Sequence, residues 1–230
     1  MKNSAETKFG CEHCGRTFAR ESTVLTHVCE QKRRWDERDR PANRIAFDAW
    51  VQNQNRCFPS KKTNTQKEFQ KSSFYTAFMK FGTYCTTAGV VNTGHYSTWL
   101  LKTGVPIDSW VSDRVYDQYL QEYIKLEDPM EAVKRSITTL LDMCEEQNIR
   151  IGDAFRLLSP NKLCYTITAG KISPWLLFNC LTGQTFLASL NEGQLELIIK
   201  YIDPNSWNPK FKRSATEVAE VKQLLASAGL

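Results

Sequence analysis

Histidine is scarce in this chain, three among 230 residues, and that scarcity narrows the chemistry at once. A His-based triad or a catalytic metal centre needs imidazole, and outside the cysteine-rich start only His95, in "NTGHYSTWLL", is available. Its polar setting at a helix entry reads as structural. The G-x-S-x-G, P-loop, G-x-G-x-x-G and H-E-x-x-H patterns are missing, as is the H-x-E with P-C-x-x-C signature of base deamination. No uninterrupted apolar run approaches transmembrane length, and no hydrophobic signal segment precedes the first cysteines. The eight cysteines form no disulfide framework: three stand near the start, and Cys57, Cys85, Cys144, Cys164 and Cys180 are scattered through apolar contexts. A reducing, cytoplasmic compartment without membrane attachment is the expectation.

What is present begins with "CEHCGRTFARESTVLTHVC", residues 11 to 29. Cys11 and Cys14 have the C-x2-C spacing that lets two thiolates on a tight turn reach one ion, and twelve residues separate Cys14 from His27. That interval fits a short hairpin and one helix returning a histidine to the same ion. Phe9, Phe18 and Val24 fall where such a ββα unit needs its small core, Gly15 suits the turn, and Glu21-Ser22 opens the helix. So small a unit folds on metal binding rather than on burial alone, which implies one structural zinc ion.

The fourth ligand is anomalous. A finger usually places it three to five residues after the histidine, yet residues 31 to 33 are Gln, Lys and Arg, and the available thiol is Cys29. Two positions apart on a regular helix means roughly 200° of rotation, so His27 and Cys29 share an ion only if the helix ends near Val28. The ligand set is then Cys11, Cys14, His27 and Cys29. The alternative is three ligands completed by water, Glu30 or His13.

Charge is unevenly distributed. Between Lys32 and Lys80 twelve basic side chains face five acidic ones, whereas between Val105 and Phe155 eleven acidic face five basic. A basic face beside a finger suits nucleic acid, bound through counterion release. The candidate phosphate contacts are Lys32, Arg33 and Arg34, with Lys61 and Lys62 in the polar loop "NQNRCFPSKKTNTQK" and Lys210, Lys212 and Arg213 in "NPKFKR". Tyr75, Lys80 and Phe211 add aromatics and a cation that suit a single strand. On the finger helix, Arg20, Thr23 and Thr26 occupy the positions that approach successive bases. One finger covers about 3 bp, so backbone anchoring or protein binding is expected of it rather than site selection.

Residues 1 to 40 read as the finger and a basic arm, and residues 41 to 230 as one all-helical domain. "ANRIAFDAWV" places Ile45, Phe47, Trp50 and Val51 on a short helix, and Phe74, Phe78, Phe81 and Cys85 form one apolar stripe. Ser112 caps a helix that buries Val115, Tyr119, Leu120 and Tyr123, and another buries Val133, Ile137, Leu140, Leu141 and Cys144. Asp128-Pro129, Ser159-Pro160, Ser173-Pro174 and Asp203-Pro204 each pair a capping side chain with proline at the first helical position. Gly170 and Gly183 serve as stops. The fold class is mainly α: a small ββα-like finger followed by an irregular helical bundle.

"CEHCGRTF" with "THVCEQKRR" resembles the small zinc-finger proteins of large tailed bacteriophages, which also carry a helical remainder. The order of "SSFYTAFMKFG", "VSDRVYDQYLQEYI" and "GKISPWLLFNCLTG" is distantly similar to the helicase-loading protein of T4-type phages. The finger departs from the loader pattern, so no loader residue carries over. The resemblance implies a DNA-binding accessory protein in the host cytoplasm, with a helical domain that engages replication or transcription machinery. The competing expectations are a DNA-base-processing enzyme, using Asp108, Asp113 or Asp117, and a structural or virion-assembly protein.

Overall fold

The computed structural model describes residues 9–59 and 64–230; Lys61 and Lys62 lie outside them. Among the described residues there are fifteen α-helices, two 3-10 turns and one two-stranded sheet, as the mainly α expectation requires. Contacts gather the chain into two units. One runs through Ala88 and takes in Asn92–Val111; the other is Gly89–Val91 with Ser112–Leu230. The finger expected over residues 1 to 40 falls within the first unit.

In the first unit β1 (Phe9–Gly10) pairs antiparallel with β2 (Thr17–Phe18), Phe9 opposite Phe18. Two short helices follow, α1 (Glu21–Thr26) and α2 (Glu30–Asp36). Arg40 then leads into Pro41 at the first position of α3 (Pro41–Cys57), which runs 17 residues. This helix is not short, and it absorbs the "NQNRC" read as loop. Its Asn55 and Arg56 are exposed while Asn43, Ala46, Ala49 and Trp50 are buried. Of the other expected core positions, Ile45, Phe47 and Val51 are only half-buried.

The expected single stripe over residues 74 to 85 breaks. Thr65 and Glu68 form a capping box at the head of α4 (Gln66–Lys71). The Ser72 hydroxyl then accepts from the Phe74 N–H at 3.1 Å, and α5 (Tyr75–Ala88) begins afresh. Phe74 therefore lies outside the helix and is 49% exposed, whereas Phe78 and Phe81 are fully buried. Both rings meet Trp110 edge-on, at 5.7 and 5.2 Å. Such pairs contribute about 0.5–1.5 kcal/mol each beyond their area. Gly82 lets α5 lie against α3, because a Cβ there would sit 2.0 Å from the Ala42 carbonyl oxygen. The last helix of this unit, α6 (Thr93–Thr103), starts at Asn92, whose side chain accepts from the His95 N–H.

The second unit is a run of short helices: α7 (Asp113–Tyr123), α8 (Pro129–Glu145), α9 (Ala154–Leu157), α10 (Pro160–Thr168), α11 (Pro174–Leu177), α12 (Leu181–Ser189), α13 (Glu192–Ile202), α14 (Pro204–Arg213) and α15 (Ala215–Ser227). All four X-Pro pairs start helices, and Asp128, Ser173 and Asp203 cap theirs by side chain; Ser159 does not. Ser112 occupies the cap position of α7 but makes no side-chain cap bond.

Gly170 ends α10 at φ +75, with Leu120 packed where a Cβ would stand. Gly183 is not a stop: it lies in the first turn of α12, and its N–H bonds the Cys180 sulfur. Leu141 is 48% exposed rather than core, and Val115, Tyr123 and Ile137 are half-buried, because the buried stripe of each helix is narrower than its apolar one. Trp175 and Trp207 are fully buried around Phe211. Buried Glu127 is held by Arg135 at 2.7 Å and by the Ser173 hydroxyl. Among the described residues no helix is long and apolar enough to cross a membrane.

Candidate metal centre and nucleic-acid face

The four sequence-derived ligands come together. The sulfurs of Cys11, Cys14 and Cys29 and a ring nitrogen of His27 all lie within 4.8 Å of one another. Cys11 and Cys14 stand on a knuckle closed by Cys11 N–H to Arg16 O (2.9 Å) and Gly15 N–H to Cys11 O (2.8 Å). Gly15 takes φ 74 there, where a side chain would be strained. The helix α1 ends at Thr26, and His27 already has extended backbone at φ -67, ψ 120. The chain thus leaves the helix before Val28, as the two-residue interval demands, and Cys29 swings back toward the knuckle.

The distances suit one ion. Tetrahedral coordination with metal–sulfur bonds of about 2.3 Å and metal–nitrogen bonds of about 2.0 Å has ligand–ligand edges of roughly 3.5–3.8 Å. Cys11 Sγ to Cys29 Sγ measures 4.0 Å and Cys14 Sγ to His27 Nε2 3.4 Å. The Cys14 N–H leads the groups that draw the Cys11 thiol below its ordinary range, while burial pushes the Cys29 thiol up. A divalent cation would let both ionise together. The substitute ligands are engaged elsewhere: Glu30 is bound by Arg33 and Arg34, and His13 packs against Trp35. Phe18 lies 4.8 Å from the His27 ring and fixes its orientation.

Cys29 has a second role that spacing did not reveal. It is the N-cap of α2, and its sulfur accepts from the Lys32 N–H at 3.4 Å. Arg34 follows, with its guanidinium 4.0 Å above the Tyr75 ring and bonded to the Gln70 carbonyl. Neither residue is then placed to meet nucleic acid: Tyr75 is buried and Arg34 is held inside the unit. The contact joins residues 41 positions apart, so local spacing carried no trace of it.

The remaining candidates divide. Arg20, Thr23, Thr26, Arg33, Lys80, Lys212 and Arg213 are exposed, and Lys32 is half-exposed. The Thr26 hydroxyl bonds the carbonyls of Ser22 and Thr23. Lys210 is a correction: its ammonium sits 5.3 and 5.2 Å from the rings of Trp175 and Trp207 and bonds the Lys125 carbonyl. Phe211 packs against the same tryptophans. Both are half-buried against the tryptophan core of the second unit.

Of the carboxylates considered for catalysis, Asp117 is taken up by Lys200, Tyr201 and Gln121. Burial opposes its charge, but these donors prevail and hold its carboxyl below the usual range. Asp108 and Asp113 are exposed on separate units. Comparison of the chain with protein-family models, with curated proteins and with solved structures yields no match.

Proposed function

We propose that the chain is a nucleic-acid-binding accessory protein whose finger is folded by one structural zinc ion. Its helical remainder engages a protein of the replication or transcription machinery in the cytoplasm of a phage-infected host. The observation that carries the reading is the Cys11, Cys14, His27 and Cys29 cluster within a β-hairpin and helix. Three sulfurs and one imidazole favour zinc, and four protein ligands leave no open position for substrate, so the ion's role is structural. The helix α1 contributes no buried residue, which leaves Arg20, Thr23 and Thr26 facing outward, with Arg33 just beyond.

The binding is of the backbone-anchoring kind, driven by counterion release and steeply salt-dependent. A base-processing role has less support, since Asp117 is held by three donors and Tyr75 is buried under Arg34. Fluorescence anisotropy on labelled fork, single-stranded and duplex DNA at two salt concentrations tests the reading. Lys32→Ala with Arg33→Ala should weaken binding uniformly across sequences and lower the salt slope by about 2. Unchanged affinity would reduce these cations to solvated surface, and strand cleavage or base release would favour the enzyme.

A further inference from the structure

The seven residues of α2 include none that is buried, and an isolated helix of that length is not stable in water. Something outside it must hold it. One end is tied by Cys29, whose sulfur caps Lys32. The middle is tied by Arg34 to the Gln70 carbonyl and the Tyr75 ring. The far end is tied by Trp35, which meets His13 of the metal knuckle at 6.0 Å, with Lys67 over its ring. Two of the three ties, Cys29 and His13, therefore belong to the metal centre.

We infer that the metal ion governs the docking of α2 on α4 and α5, and so gates the cations of Lys32 and Arg33 as well as folding the finger. The inference rests on the metal reading above. A thiolate that is a ligand keeps lone pairs able to accept the Lys32 N–H, and that bond is charge-assisted. Loss of the ion frees the Cys29 backbone, unfolds the knuckle and withdraws His13 from Trp35. Arg34 and the Lys67 contact to Trp35 are then left against the fraying of a two-turn helix. This also gives a reason for the two-residue interval. A ligand three to five residues after His27 would lie within α2 or beyond its start, whereas Cys29 stands where one helix has ended and the next begins.

Amide hydrogen exchange on the full chain, loaded with one equivalent of zinc and then chelated, decides the matter. Chelation should speed exchange at residues 32–36 roughly tenfold or more, together with the finger amides, while the core of α3 and the second unit stay protected. Adding zinc back should restore both segments with one midpoint. If the finger loses protection and α2 keeps it, the gate is overturned and the metal reading survives; if no metal binds, both fall. Cys29→Ser separates capping from metal binding, because serine is a good N-cap but a poorer zinc ligand. Its α2 should exchange fast even with zinc present. Protection at the wild-type level in Cys29→Ser would show that capping alone holds the helix.

Discussion

The finger and the second unit solve the stability problem in opposite ways. Neither α1 nor α2 buries a single residue, and the finger's order converges on four ligand atoms. In the second unit Tyr119, Leu120, Leu140, Trp175 and Trp207 are all fully buried, and order is spread over many apolar contacts. The cysteines make the contrast within one residue type. Within the cluster the Cys14 N–H draws the Cys11 thiol down while burial pushes the Cys29 thiol up. Burial also raises Cys144, Cys164 and Cys180, and it pushes Cys85 of the first unit up to about 12. What separates them is geometry: Cys11 and Cys29 stand with Cys14 and His27 in a cluster that could hold an ion, and the other four are buried as apolar filling. On the proposed reading, a region too small to bury its own side chains is folded by an ion, whereas a region of nine helices is held by its own core.

The largest expected break in that contrast is Trp175→Ala. It removes the ring that Phe211 and Trp207 pack against and should cost about 3–5 kcal/mol, read as a lowered urea midpoint. Chelation should leave that midpoint unmoved. A smaller effect, about 1 kcal/mol at pH 7, is expected for Asp117→Asn. The Asp117 carboxyl is held low in the fold, so its contribution is complete above the unfolded value of about 3.9 and disappears as pH falls through the folded one. Urea titrations at pH 7 and near pH 3 should therefore show the gap closing, and a gap that persists would mean the charge is not its cause.

The smallest effect is chemical rather than energetic. A thiol reagent should modify exposed Cys57 at once, and Cys11, Cys14 and Cys29 only after chelation. The four buried thiols outside the cluster, Cys85, Cys144, Cys164 and Cys180, should react only on unfolding. Early labelling of Cys11 in the zinc-loaded chain would remove it from the ligand set.

Much of this was legible wherever local chemistry decides the outcome. Proline at a first helical position fixes φ and removes a donor that would be unpaired in any case, so four helix starts could be read directly. The His27-Cys29 interval dictated the end of α1 through rotation alone. Long-range choices were not legible. Phe74 and Leu141 fit an apolar period but face water, because which edge of a stripe is covered depends on the neighbouring helices. The "NQNRC" segment looked like a loop although polar residues are ordinary on the solvent side of a helix. At the site, spacing picked out the four side chains that the fold brings together. The capping role of Cys29 and the engagement of Arg34 and Lys210 needed partners that the linear order does not reveal.

On the proposed reading one metal ion folds residues 9–29. Elemental analysis of the purified chain beside its Cys14→Ser variant tests it most directly. One zinc per chain is predicted for the natural sequence, with a marked loss in the variant. A zinc-free protein whose finger amides remain protected would contradict it.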